Sequence, residues 1–409
     1  MISARIPGTR ALSVAVHVPV GARHERPEEA GIAHFLEHVT FRGTRDWPTS
    51  RILSEAIEGV GGTTNAATDR DSTVYWARLP VREAELAIRL LGDLVARPIL
   101  ADAEIARERE IIVEEIRSYR DDPSQHVFTL WDGAWFGPGP MGREIAGEED
   151  GVRGLPAERI RAFWKAGYAP GGLVVAAAGD LPHDRIVELV RDAIGSGDAP
   201  PVPWEPVSGD LPVTRVVTEA RPTQQAHLAI GLPALRRDHP DQWAMELLTT
   251  VLGEGSSSRL FLSVREEAGL AYDIHAFQAD HADCGTLQVY AGVDPADMPR
   301  AVAAILAELA RLRDEPVPAA ELEKARRYLI GRLELRLEES RAMAAWLGAQ
   351  EALHDRVHTL DEAIAALRGV TPDDVTRLAG VLFRDEGLCL AAVAPRGALR
   401  GLDRALRLP

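Results

Sequence analysis

A glycine- and proline-rich stretch with no hydrophobic period, residues 194–212, separates two halves that pass through the same succession of elements. This repetition restricts the fold more than any other feature of the chain. In the first half, 12–20 alternates as a strand. Pro27 then opens a predicted helix over 28–42, with Ile32, Phe35, Leu36 and Val39 at helical spacing. A second helix over 50–58 is closed by Gly59, Gly61 and Gly62, and the run TTNAATDRDSTVYWARLP becomes strand-like in its second part. Helices are expected over 83–94, 102–118, 123–136 and 157–165, then a buried strand in GGLVVAAAGD and a helix over 183–193. Beyond the linker the order resumes: a strand at 225–230, a helix over 241–252, a short helix capped by GEGSSS, and the strand LQVYAGVDP. Helices over 297–313, 319–338, 342–352, 359–366 and 371–382 lead into the closing strand LCLAAVAP. The reading is an α+β chain of two similar domains, 1–196 and 213–409, joined by a linker at 197–212. Each domain is an antiparallel-rich β-sheet packed against several α-helices.

Composition narrows the partners. The 62 acidic residues outnumber the 46 basic ones for a net charge of -16, and no basic patch interrupts them, so a phosphate backbone is repelled and nucleic acid is excluded as a partner. Cys284 and Cys389, the only cysteines, lie in apolar runs and read as buried thiols rather than a disulfide framework. The amino terminus alternates like a strand and lacks an unbroken apolar core and a cleavage pattern. No run reaches the length of a membrane span, so the expectation is a cytoplasmic protein with no membrane partner.

The chemical signal is the run His34-Phe35-Leu36-Glu37-His38. Four residues apart on a helix, His34 and His38 present their imidazoles on one face, as a single tetrahedral zinc requires. Glu37 borders that face, where its carboxylate can take a proton from water activated by the metal and hand it to the leaving amine. Two surface histidines beside a salt-bridging glutamate would carry the same letters. The zinc needs one more protein ligand, and the helix over 102–118 offers Glu108, Glu110, Glu114 and Glu115 among Ile105, Ile111, Ile112 and Ile116. Glu108 and Glu115, seven apart, share a face with Ile111 and Ile112, and half-buried carboxylates are well explained by a metal. Residue spacing alone leaves Glu114 and Glu115 both open.

Four segments together, GIAHFLEHVTFRGT, GGTTNAATDRDSTVYW, EREIIVEEI and GSSSRLFLSVREEAGLAYDIHA, resemble the pitrilysin-type (M16) zinc peptidases. The likeness is to their short-chain branch, which includes mitochondrial processing peptidase and its bacterial homologues. The resemblance runs over almost the whole chain and implies a zinc-binding catalytic domain in the first half. It implies one Zn2+ per chain held by His34, His38 and Glu115, with Glu37 as general base. It makes Glu108 a carboxylate that hydrogen-bonds a zinc histidine, and Asn65-Ala66 part of an edge strand along which an extended peptide substrate lies. Read without the resemblance, Asn65 is a turn former beside Gly61 and Gly62. Arg265 and Tyr272 match a pair on the second domain that orients the peptide backbone and donates to the developing oxyanion; by residue pattern alone Tyr272 reads as a core residue at a strand end. Gly269 between them favours a bend. Val39 and Arg42 stand where many relatives have methionine and lysine, to which no consequence is attached. The opening strand lies so near the amino terminus that a first sheet edge trimmed, or completed by a partner, is expected.

The functional expectation is a zinc metalloendopeptidase that cuts unfolded or short peptides. A noncatalytic scaffold of the same fold and a dedicated maturation protease for one ribosomally made peptide are the alternatives. The complete set of site residues favours a homodimer with shared active sites over a heterodimer with a homologous subunit.

Overall fold

The structure, a computed structural model, describes residues 1–208 and 212–409; residues 209–211 of the expected linker lie outside the described residues. The chain forms two compact units, one of Met1–Arg117, Glu144–Glu205 and Glu334–His358, the other of Ser118–Arg143, Pro206–Leu333 and Thr359–Pro409. In chain order the elements of the first half are β1 (Ile2–Arg5), β2 (Ala11–Val18), α1 (Ile32–Thr40), α2 (Ser50–Glu58), β3 (Thr63–Thr68), β4 (Thr73–Pro80), α3 (Ala84–Ala96), α4 (Asp102–Asp121), α5 (Pro123–Phe136), α6 (Glu149–Gly154), α7 (Ala157–Gly167), β5 (Val174–Gly179) and α8 (His183–Ile194). The second half carries β6 (Val216–Ala220), β7 (Ala226–Ala234), α9 (Gln242–Gly253), a π-helical turn (Phe261–Glu267), β8 (Ala271–Asp280), β9 (Gly285–Val293), α10 (Met298–Asp314), α11 (Ala319–Leu337), α12 (Ser340–Leu353), α13 (Leu360–Gly369), α14 (Pro372–Leu382), β10 (Cys389–Ala394) and α15 (Leu402–Ala405).

The repetition read in the sequence is present in the strand order: β1-β5-β2-β4-β3 in one sheet and β6-β10-β7-β9-β8 in the other. In each, the outer strand runs parallel to its neighbour and the remaining pairs are antiparallel. The edge expected to be trimmed is filled by β1, which pairs with β5 from Ile2↔Ala176 to Arg5↔Gly179. The two units also take one helix from the opposite half of the sequence. α12 covers β5, β2 and β1 of the first sheet, and α5 covers β10, β7 and β6 of the second. Trp131 of α5 lies against Gly231 of β7, where a Cβ would stand 2.1 Å from the indole.

The helix expected from residue 28 begins only at Ile32. Gly31 is left-handed (φ 91°), and a 3-10 turn over Pro27–Glu29 precedes it. A side chain at Gly31 would meet the Ala146 carbonyl at 2.6 Å, so glycine is needed for both conformation and space. Ile32, Phe35, Leu36 and Val39 are buried as their spacing requires. On α4, Ile105, Ile112 and Ile116 are buried, but Ile111 is exposed, which corrects its placement on the inner face. Cys389 is buried while Cys284 is only partly so. Among the described residues, no helix is long and apolar enough to cross a membrane.

Candidate active site

α1 is anchored at its start by Glu25, whose buried carboxylate accepts the N–H groups of Gly31 and Ala33, both at 2.9 Å. An acid there satisfies donors that have no partner within the helix and complements its dipole. One turn on, the rings of His34 and His38 stand with centroids 4.5 Å apart. α4 brings in Glu115: its Oε2 lies 3.3 Å from His38 Nε2 and 3.8 Å from His34 Nε2. Ligand atoms of these three residues all fall within 4.8 Å of one another. Bonds of about 2.0–2.1 Å to a tetrahedral zinc put neighbouring ligand atoms roughly 3.3 Å apart, so the donor set fits zinc. Glu114 instead is exposed and paired with Arg117 at 2.5 Å, and it does not join the cluster.

Glu108 lies one helical heptad before Glu115 and is 1% exposed. Its Oε2 is 3.1 Å from His38 Nδ1 and its other oxygen pairs with Arg42. With Nδ1–H donating to Glu108, the lone pair of His38 is directed from Nε2 toward the cluster. Burial pulls the His38 imidazole down, but hydrogen bonds to Glu108 and Glu115 outweigh it and push it up to about 9. Metal binding there displaces a proton. Burial pulls His34 down to about 4, with the neighbouring His38 adding to the effect, so His34 is neutral. Glu108 is desolvated, yet His38 and Arg42 hold its carboxyl below the ordinary range. Arg42, passed over in the sequence, therefore has a place: with His38 it keeps Glu108 ionised.

Glu37, beside His38 on α1, accepts the Thr68 hydroxyl on its Oε2 at 2.5 Å. Burial raises the Glu37 carboxyl above its ordinary value and Thr68 partly opposes the shift. Asn65 and Ala66 lie on β3, the last strand of its sheet and, among the described residues, unpaired on its outer side; the Asn65 side chain accepts the Ala66 N–H at 2.8 Å. Between α1, α2 and β3 is a cavity of about 510 Å3 lined by Glu37, His38, Phe41, Arg42, Leu53, Ile57 and Asn65 among others.

Arg265 and Tyr272 belong to the second unit. The π-helical turn closes with Ala268 N–H donating to the Ser263 carbonyl at 3.1 Å, and Gly269 is left-handed (φ 64°), in keeping with the expected bend. This geometry stacks the Arg265 guanidinium 5.5 Å over the Tyr272 ring and 4.7 Å over Phe261. Tyr272 is 75% exposed, so its reading as a core residue is overturned. Sequence reasoning also missed Glu25, Thr68 and Arg259. The last makes a bidentate pair with Glu321 at 3.0 and 2.8 Å just before the π-helical turn.

Residues 1–149 match the family described as Insulinase (Peptidase family M16), and residues 154–329 the Peptidase M16 inactive domain. An uncharacterized zinc protease of Streptomyces coelicolor is 36% identical over 386 residues, covering 93% of this chain and 84% of its own. The uncharacterized zinc protease YmxG of Bacillus subtilis is 31% identical, covering 96% of this chain and 95% of its own. A protease from Helicobacter pylori superposes with a TM-score of 0.87 at 22% identity over 96% of each chain. A chain of Complex III2 from Candida albicans does so with a TM-score of 0.83 at 16% identity over 99% of this chain and 95% of that one. These last two likenesses show the fold. The sequence relatives extend over nearly the whole chain, and with a zinc-fitting cluster in its first half the chain belongs to peptidase family M16, as a zinc-dependent peptidase.

Proposed function

We propose that the chain is an endopeptidase for unfolded or short peptides, of the branch that includes mitochondrial processing peptidase. The observation that carries this reading is the junction of β3 with the catalytic helix. The unpaired edge strand ends at Thr68, and the Thr68 hydroxyl touches Glu37 next to the metal cluster. A peptide added to β3 as one more strand is held by main-chain hydrogen bonds whatever its side chains, and an unfolded or short peptide has its main chain free for that pairing. Asn65 and Ala66 are the strand residues assigned to that contact.

His34, His38 and Glu115 are assigned as ligands, Glu108 as the group that fixes the His38 tautomer, and Glu37 as general base. Zinc held there supplies Lewis-acid polarisation and an acidified water. Glu37 takes up a proton on the carboxylate oxygen not engaged by Thr68 and delivers it to the leaving amine. Tyr272 donates a hydrogen bond to the carbonyl oxygen as charge develops on it, and Arg265 orients the peptide backbone. A noncatalytic scaffold has no use for the complete cluster with a base beside it, and a maturation protease for a single peptide would perform the same reaction.

The test is metal analysis joined to a peptide-library digest read by product masses. Purified protein is expected to hold about one zinc per chain, to lose hydrolysis on chelation and regain it with zinc. Glu37→Gln is expected to keep the metal and lose turnover by at least about a hundredfold. Full activity in metal-free protein overturns the assignment, and products trimmed only from chain ends overturn the endopeptidase reading.

A further inference from the structure

We infer that Thr68 is a positioning residue for the general base: its hydroxyl holds Glu37 in one orientation at the point where β3 reaches the catalytic helix. The inference rests on the assignment of Glu37 as base.

The hydroxyl hydrogens around Glu37 can be assigned one by one. Thr40 Oγ1 donates to the Glu37 carbonyl at 2.8 Å, and Thr73 Oγ1 donates to the Val20 carbonyl at 3.0 Å. The hydrogen of Thr73 is thereby committed, so at its 3.5 Å contact with Thr68 it can only accept. Thr68 is left with two acceptors, Thr73 at 3.5 Å and the Glu37 carboxylate at 2.5 Å. The shorter distance and the charge on the acceptor decide for Glu37.

Thr68 is braced from behind by paired backbone and a buried ion pair. It closes β3 opposite Thr73, and the turn that joins them carries Asp71, in a buried ion pair with Arg23 at 2.8 Å. The Ala22 and Arg23 N–H groups donate to the carbonyls of Asp69 and Arg70 at 3.0 and 2.9 Å. The hairpin tip is thus tied to the segment that leads into α1, and Thr68 and Glu37 belong to one frame. A β-branched side chain adds a restricted χ1. An unrestrained glutamate would sample several rotamers, and the Thr68 contact narrows that choice.

The experiment compares Thr68→Val, which keeps shape and loses the hydroxyl, with Thr68→Ser, which keeps the hydroxyl. Zinc content, thermal midpoint, kcat and KM are measured on the zinc-loaded full chain, and crystal structures of both variants show the Glu37 side chain. Thr68→Val is expected to lower kcat by roughly tenfold to a hundredfold with KM, zinc content and midpoint near wild type. Its Glu37 is expected in more than one rotamer, whereas Thr68→Ser recovers most of kcat and the single rotamer. If valine fails to fold, Thr68→Ala takes its place against serine. Equal kcat for valine or alanine and wild type overturns the inference, as does a serine variant as slow as valine. Glu37→Gln measured alongside separates the two levels: if it stays active, the assignment of the base fails, and if it is dead while Thr68→Val is fully active, only the role of Thr68 fails.

Discussion

Glu108 and Glu115 are chemically the same side chain one heptad apart on α4, and their neighbours give them different work. Glu115 stands at the cluster, while Glu108, buried against Arg42, touches only the far nitrogen of His38. Glu108→Gln keeps the size and loses the charge that orients His38. It is expected to weaken zinc affinity by roughly tenfold to a hundredfold, measured by competition with a chromophoric chelator; unchanged affinity would remove Glu108 from this role. His17 shows the converse case, a histidine buried with no ligand to hold. Burial pulls it down to about 4, and its Nε2 has no hydrogen-bond partner. The ordinary value in the unfolded chain is higher, so the unfolded chain binds the proton first. Stability from the neutral His17 is fully present above pH 6.5 and falls as pH drops toward 4, by up to about 3 kcal/mol. Urea midpoints of wild type and His17→Asn at pH 7 and pH 5 are expected to differ in slope with pH. Parallel losses would show that other groups govern the acid limb.

At the scale of elements, two contacts hold the catalytic helix and the sheet behind it. The Glu25 carboxylate terminates α1 by accepting two N–H groups, and Glu25→Ala leaves both without that acceptor in a buried place. A loss of about 1–3 kcal/mol is expected, with reduced zinc content because His34 lies in the first turn. On the opposite face of the sheet, α12 approaches β2 so closely that a Cβ at Gly348 would stand 2.3 Å from His17 Nε2. Gly348→Ala is therefore expected to destabilise by about 1–3 kcal/mol through overpacking, although alanine is the better helix former. A denaturation midpoint at or above wild type would mean that α12 can retreat without cost.

At the scale of the whole molecule, the shared strand order of the two sheets is the mark of a duplication, and each unit draws one helix from the other half of the sequence. A fragment ending before residue 334 lacks α12, which covers β5 and β2, and also lacks β10 of the second sheet, and it is expected to be insoluble or molten when expressed alone. The homodimer expected from the set of site residues is tested by mixing two dead variants, Glu37→Gln and Tyr272→Phe, under conditions that exchange subunits. If Tyr272 of one chain serves the cluster of its partner, one site of each hybrid is whole. Random pairing then recovers about a quarter of wild-type activity. Verified hybrids with no activity above the parents would show that Tyr272 does not act across chains.

The histidine pair with its intervening glutamate, the apolar period of α1 and the repeated order of elements are local patterns, and each was legible as letters at fixed spacing. The choice of Glu115 over Glu114 needed the resemblance, because neighbouring positions on an acidic helix differ by only about 100° in direction; the packing of α4 against α1 then placed Glu115 at the cluster. Strands β6 and β8 were not legible, and β3 only through the resemblance. A short or half-exposed edge strand draws much of its stability from its partner and carries a weak pattern of its own. The use of Arg42, Glu25 and Thr68, the exposure of Tyr272 and the exchange of α5 and α12 depend on which surfaces meet across long separations in sequence. No local pattern encodes those pairings, since burial, hydrogen-bond direction and charge balance arise only when distant segments are brought together.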